Sequence, residues 1–264
     1  MKKPRMQNLQ SNMLVHKDQM PIIKLIPSML TLFALCIGLG AIRLAILGQF
    51  EKAVIFIMVA GFLDGIDGRV ARALRSTSEF GAELDSLCDF VNFGVAPSFI
   101  LYFWHLHSIP VFGWSLVLLM SVSLAIRLAR FNAAINIDDI DEFRIYTKKN
   151  FFVGVPAPIA GMLFLLPLSL YIETQIVLFD WCLVFYLAIV CILATSRIPT
   201  FSLKDFKISR KMASIAAVLI SIFMIALLYE PVKVAIFCCL LYLCVIPFSG
   251  YKYLSKRKQL CKII

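Results

Sequence analysis

The sequence predicts an all-α, polytopic membrane bundle of about eight transmembrane helices with both termini in the cytoplasm. Three observations predict it. The 264 residues are 61% hydrophobic and only 16% charged, with a mean hydropathy of +0.87. That is more apolar than ordinary soluble domains and leaves too little polar surface to cover a core of this size. The apolar residues gather in eight runs, and a bilayer needs roughly 20 residues per spanning helix. The basic residues fall on alternate connections, as the positive-inside rule requires.

Residues 1–21 carry Lys2, Lys3 and Arg5 and are expected as a cytoplasmic tail. The runs cover approximately 25–47, 52–74, 80–104, 111–133, 154–172, 175–195, 212–229 and 232–251. The first is too long for a secretory signal and is expected to be retained. The runs do not alternate, so strands are not expected in them. With the N-terminus inside, every Lys and Arg except Arg43, Lys52 and Lys233 falls on the inner side. The net charge of +10 then faces anionic headgroups and phosphates rather than nucleic acid. The longest inner loops are 134–153 and 196–211. Asp138, Asp139, Asp141 and Glu142 in the first read as a solvated stretch. Segment 201–211 alternates apolar and basic residues and reads as an interfacial amphipathic helix or a connector. The eight cysteines contain no CxxC pair, so they read as small apolar residues rather than a disulfide framework. The expected organisation is the tail 1–21, a six-helix catalytic core 22–195, and a region 196–264 with a loop, two more helices and a basic tail.

The second and third runs break the lipid rule. Around their inner ends lies FLDGIDGRVARALRSTSEFGAELDSLCDF, residues 62–90. Ionisable groups inside apolar helices are expensive and mark function by default. Asp64 and Asp67 are three apart on one helix, and Asp85 and Asp89 four apart on the next, so each pair shares a face. A short inner connection makes the helices antiparallel neighbours, and the four carboxylates converge. Like charges that close need a cation among them. Oxygen-only ligands indicate a hard ion such as Mg²⁺, Mn²⁺ or Ca²⁺, and four carboxylates suffice for two ions. Two such ions suit in-line displacement at phosphorus. Gly65, Gly68 and Gly81 each cost a helix about 1 kcal/mol relative to Ala, which suggests a bulky ligand close to the backbone. Arg72, two turns beyond Asp64, is placed to pair with a phosphate. The competing reading, carboxylates paired structurally with Arg69, Arg72 and Arg75, explains one pair but not four aspartates at helical spacing.

The pattern Asp64-x2-Asp67-Gly68-x2-Ala71-Arg72-x8-Gly81-x3-Asp85-x3-Asp89 resembles the signature of the CDP-alcohol phosphatidyltransferases at every fixed position. The resemblance implies that Asp64, Asp67 and Asp85 bind metal. It implies that Asp89 is the catalytic base and a ligand of a second ion. Gly68 and Arg72 would meet the CDP moiety, with Ser78 in the nucleotide pocket. Pro27-Ser28-Met29-Leu30-Thr31 is similar to the family's first-helix Pro-Asn-x-x-Thr element, with Ser28 in place of Asn. A homodimer is also implied, while the distribution of basic charge places the active site on the cytoplasmic face of the cell's inner membrane.

Arg127-Leu-Ala-Arg130-Phe131-Asn132 reads on charge alone as a positive-inside anchor. It also resembles the RLARFN element of the serine-using subgroup. Phe152-x-Gly154-Val155-Pro156-x-Pro158-x-Ala160-Gly161 is similar to a second element of that subgroup. CDP-diacylglycerol and L-serine are therefore the expected substrates. A guanidinium grips a carboxylate as a fork, so Arg127 or Arg130 would hold serine, with Asn132 assisting. Glycerol 3-phosphate, inositol phosphate or choline as acceptor keeps the same chemistry. A cation-coupled transporter is the alternative of another class, but it expects acidic residues at the midplane and related halves.

Overall fold

A helix lies over each of the eight apolar runs. The computed structural model describes residues 26–74, 76, 78–135, 151–176, 178–196, 199–201 and 210–260. The expected cytoplasmic tail, the acidic loop stretch and most of the amphipathic segment 201–211 lie outside them. The helices are α1 (Ile26–Ile46), α2 (Phe50–Ala73), α3 (Glu79–Asp89), α4 (Ala96–Trp104), α5 (Phe112–Ile135), α6 (Ala157–Thr174), α7 (Asp180–Thr195), α8 (Arg210–Tyr229) and α9 (Pro231–Leu260).

Among the described residues, four stretches are long and apolar enough to cross a membrane by length and composition: Ile26–Ile46, Glu79–Trp104, Phe112–Ala133 and Ala157–Thr174. Shorter apolar helices cover Asp180–Thr195 and Pro231–Ile246. The apolar surface that water would not tolerate faces outward. Phe185, Ile189 and Ile192 line one side of α7 and are all exposed, as are Met29, Leu32, Phe33 and Leu39 on α1. Contiguous patches of this kind mark a lipid or protein environment. The chain's three tryptophans gather at one end of the bundle. Trp104 closes α4, Trp114 opens α5 and Trp181 opens α7. There Trp181 packs on Phe112 and Trp104 on Tyr171. Tryptophan prefers the membrane–water interface.

The core is centred on α6, whose Ala157, Ala160, Leu163, Phe164, Leu165 and Leu168 are buried. It packs against α2, α4, α7 and α9. The third run is not one uniform helix, as its apolar continuity suggests. Between α3 and α4 the chain widens into one π-helical turn, Phe90–Val95, in which Ala96 N–H bonds the Val91 carbonyl five residues back. Pro97 follows directly. It has no N–H to donate, and its ring collides with a carbonyl four residues earlier in a regular helix. The wider turn accommodates both. Its side chains are held closely: a Cβ on Gly161 would lie 2.9 Å from Phe93 Cβ.

One feature lies outside the helical expectation. Phe151–Val153 and Pro199–Phe201 form a two-stranded antiparallel pair, with Phe152 opposite Thr200. It joins the connection before α6 to the one after α7 at the bundle end opposite the tryptophans.

Candidate active site

Asp64 and Asp67 lie in the second half of α2, and Asp85 and Asp89 in the second half of α3. The α2–α3 connection is short, so both pairs sit toward the end opposite the tryptophans. The two carboxylate helices are joined through α1, which packs against both. Carboxylate oxygens of Asp64, Asp67 and Asp85 lie within 4.8 Å of one another.

The cage is braced. Thr31 Oγ1 on α1 donates to Asp67 Oδ2 at 2.7 Å, and Asp67 is only 3% exposed. Asp89 is in hydrogen-bond contact with Asp64, while its Oδ1 is buried with no hydrogen-bond partner among the described residues. A buried carboxylate oxygen without a donor demands a ligand or a cation. The donor set is all oxygen, with one member locked by Thr31 and one oxygen unsatisfied. It fits hard divalent cations and offers nothing to a soft one beyond the buried thiol of Cys88.

The nucleotide-side candidates surround the cage. Ser78 caps α3, its Oγ accepting from Gly81 N at 3.0 Å. A Cβ on Gly81 would meet Ser78 Oγ at 3.1 Å and Ser28 Oγ at 3.9 Å, so Ser28, Ser78 and Gly81 share one corner. Gly65 opens onto empty space, and Gly68 faces the Arg72 guanidinium across 3.9 Å. Arg72 is exposed. Thr31, expected at the nucleotide, turns its hydroxyl to the carboxylate cage.

The acceptor-side candidates separate. Arg127 is half-buried and electrostatically coupled to Asp89. Its Nε donates to the Val155 carbonyl, and among the described residues its two terminal nitrogens have no hydrogen-bond partner. Gly154, at φ +82°, turns the chain just before that carbonyl. Arg130 is exposed and its Nη1 donates to the Thr195 carbonyl at 2.7 Å, closing the end of α7. Asn132 Nδ2 donates to Ser86 Oγ at 3.0 Å, tying α5 to α3.

Two residues near the site carried no signal in the sequence motifs. Asn92, in the π turn three residues beyond Asp89, is 1% exposed, and neither of its amide atoms has a partner among the described residues. It presses on α1, where a Cβ at Gly38 would lie 2.0 Å from its Oδ1. Tyr242 of α9 buries its hydroxyl oxygen within electrostatic range of Arg127. A polar group on an otherwise apolar helix face is the signal that could have found either.

Comparison with known proteins agrees with this geometry. A protein described as CDP-diacylglycerol–serine O-phosphatidyltransferase from Mycobacterium leprae is 39% identical over 229 residues, covering 86% of this chain and 75% of its own. The Mycobacterium tuberculosis protein of the same description is 37% identical over 229 residues, 86% of this chain and 78% of its own. One from Bacillus subtilis is 39% identical over 137 residues, 52% of this chain and 71% of its own. The sequence profile described as CDP-alcohol phosphatidyltransferase matches residues 24–195, the stretch that supplies α1 through α7 and all four aspartates. With its signature carboxylates gathered into one braced cage, the chain belongs to the CDP-alcohol phosphatidyltransferase family, and is an enzyme of phosphatidyl transfer.

Proposed function

We propose that the protein transfers the phosphatidyl group of CDP-diacylglycerol to the hydroxyl of L-serine, giving phosphatidylserine and CMP. The observation that carries the reaction is the convergence of Asp64, Asp67 and Asp85 beside the unsatisfied oxygen of Asp89. The identity of the acceptor is supported by the relatives' descriptions and by Arg127, whose guanidinium is electrostatically coupled to the proposed base.

Asp64, Asp67, Asp85 and Asp89 would hold two divalent cations, Mg²⁺ or Mn²⁺ with Ca²⁺ also compatible. When bound there, these would neutralise the diphosphate and stabilise the attacking and leaving oxygens. The remaining work belongs to the chain. Gly65 and Gly68 leave room for the nucleotide against α2, Arg72 pairs with its phosphates, and Ser28 and Ser78 line its corner. Arg127 grips the serine carboxylate as a fork and presents the hydroxyl to Asp89, with Asn132 assisting, while Arg130 closes the end of α7. Asp89 takes the hydroxyl proton as the new O–P bond forms and the bond to CMP breaks. As in other phosphoryl transfers, catalysis here is mainly positioning and charge stabilisation.

The eight apolar runs all span, α3 and α4 forming one of them, with both termini and the active site on the cytoplasmic side of the inner membrane and the enzyme a homodimer. That sidedness follows from the distribution of Lys and Arg. It lets a soluble amino acid and a lipid-borne nucleotide meet at one surface.

The test is purified enzyme in detergent with CDP-diacylglycerol, labelled L-serine and Mg²⁺ or Mn²⁺. Labelled phosphatidylserine and stoichiometric CMP are expected. Preferential use of glycerol 3-phosphate, inositol phosphate or choline in competition would overturn the acceptor. Full CMP release by Asp89→Asn would overturn the base.

A further inference from the structure

Two constraints meet at Gly154, the residue before the carbonyl that Arg127 binds. Arg127 Nε donates to the Val155 carbonyl, and the direction of that carbonyl is set from both flanks. On one flank stands Pro156, and a residue before proline is pushed toward the extended region. On the other stands Gly154, at φ +82°, a torsion that residues with a side chain adopt only at a cost. Gly154 is buried and meets the end of α7 at close range. A Cβ there would lie 3.0 Å from the Ser196 carbonyl oxygen and 3.7 Å from that of Ala194. The position therefore excludes a side chain twice, by torsion and by space. The chain enters it from Phe151–Val153, which pairs with Pro199–Phe201, and that second strand packs on α9. Val155 itself is buried in the core. The turn is held before and behind, and the carbonyl it presents goes to one guanidinium.

We propose that Gly154 is a positioning residue for acceptor binding: its left-handed turn sets the Val155 carbonyl on Arg127 Nε, which aims the two terminal nitrogens of the fork at the acceptor's carboxylate. The assignment rests on Arg127 holding the carboxylate of serine. A guanidinium is planar, so anchoring Nε fixes the plane in which its other nitrogens lie. A carboxylate gripped end-on uses both of them, and the grip depends on that plane. A side chain at position 154 must either leave the left-handed torsion or push the chain off the Ser196 carbonyl. Both moves carry the Val155 carbonyl away from Nε. The fork then keeps its charge and loses its aim.

The experiment measures steady-state kinetics in detergent, with L-serine and CDP-diacylglycerol varied in turn. It compares wild type, Gly154→Ala, Gly154→Asn, Arg127→Lys and the double variant Gly154→Ala with Arg127→Lys. Gly154→Ala is expected to raise the KM for serine about tenfold, as the loss of one hydrogen bond to a charged group does. The kcat and the KM for CDP-diacylglycerol should stay within about threefold. Asparagine enters the left-handed region more readily than alanine, so Gly154→Asn should move the same KM by a smaller factor. The same comparisons apply to it, so a misfolded alanine variant leaves the question decided. In the Arg127→Lys background there is no fork to aim, and Gly154→Ala should add less than about twofold to the KM for serine. An equal change in both KM values, a fall confined to kcat, or a rise for serine that persists undiminished beside Arg127→Lys would overturn the proposal, leaving Gly154 a residue of the fold alone. Preference of the wild type for another alcohol over serine would instead overturn the acceptor reading, and this assignment with it.

Discussion

Replacing Thr31 with Val tests whether the cage is prebuilt. Valine has nearly the same shape and removes only the hydroxyl that donates to Asp67 Oδ2 at 2.7 Å. A buried hydrogen bond to a charged group contributes about 1.5–3 kcal/mol. Two effects then oppose each other. Asp67 loses the contact that fixes its rotamer, which weakens cation binding. Its freed oxygen also becomes a stronger ligand, which favours cation binding. Loss of an outer partner of a ligand typically lowers metal affinity about 10–100-fold. That corresponds to about 1.4–2.7 kcal/mol and matches the bond's own strength, so orientation is expected to win. The assay is CMP release against free Mg²⁺ or Mn²⁺ at saturating lipid and serine. The half-activating concentration should rise about 10–100-fold, with kcat at saturating metal changing by less than about threefold. A half-activating concentration that stays put or falls would refute the reasoning.

Asp85→Asn removes one of the three clustered carboxylates. It should abolish activity at Mg²⁺ concentrations that saturate the wild type, and EDTA should reproduce the loss in the wild type with recovery on adding back Mg²⁺ or Mn²⁺. Asp89→Asn should lower CMP release about 10²–10⁴-fold, and excess metal should not restore it, which separates the base from the cage. Arg127→Lys keeps the charge but loses the fork; its KM for serine should rise tenfold or more, whereas Arg130→Ala should leave that KM nearly unchanged and lower thermal stability by about 0.3–1 kcal/mol, as loss of a cation at a helix C-terminus does. Gly38→Ala drives a methyl to 2.0 Å from Asn92 Oδ1 and should destabilise the protein by about 1–3 kcal/mol; thermal unfolding in detergent measures it, and Asn92→Ala in the same chain should recover most of the loss.

Helix positions were legible because each run is long, apolar and bounded by charge or by Pro and Gly. The carboxylate pairs were legible because i,i+3 and i,i+4 spacing places them on one face whatever the helix packs against. The partner of each group was not. Nothing in the spacing says that Thr31 turns to Asp67 rather than to a ligand, or that Arg130 spends its fork edge on the Thr195 carbonyl. Those choices depend on how helices far apart in sequence are stacked. Tyr242 sits some 150 residues beyond Asp89 in the chain, and only the packing of α9 brings it within electrostatic range of Arg127. The strands Phe151–Val153 and Pro199–Phe201 are three residues each, too short for a period-two pattern to register. The π turn escaped for a related reason: one extra residue inside an apolar run leaves the composition unchanged.

That extra residue acts as an angular offset. In an α-helix each residue advances the side-chain direction by about 100°. The lower part of the rod, with Asp85 and Asp89, is therefore indexed differently against α4 than an uninterrupted helix would allow. α4 is anchored by Ile100 and Leu101, both fully buried, and cannot rotate to compensate. Deleting one residue from Phe90–Val95 would swing both carboxylates by about a quarter turn away from Asp64 while leaving every ligand in the chain. The catalytic centre depends on its register along one helix as much as on the identity of its aspartates.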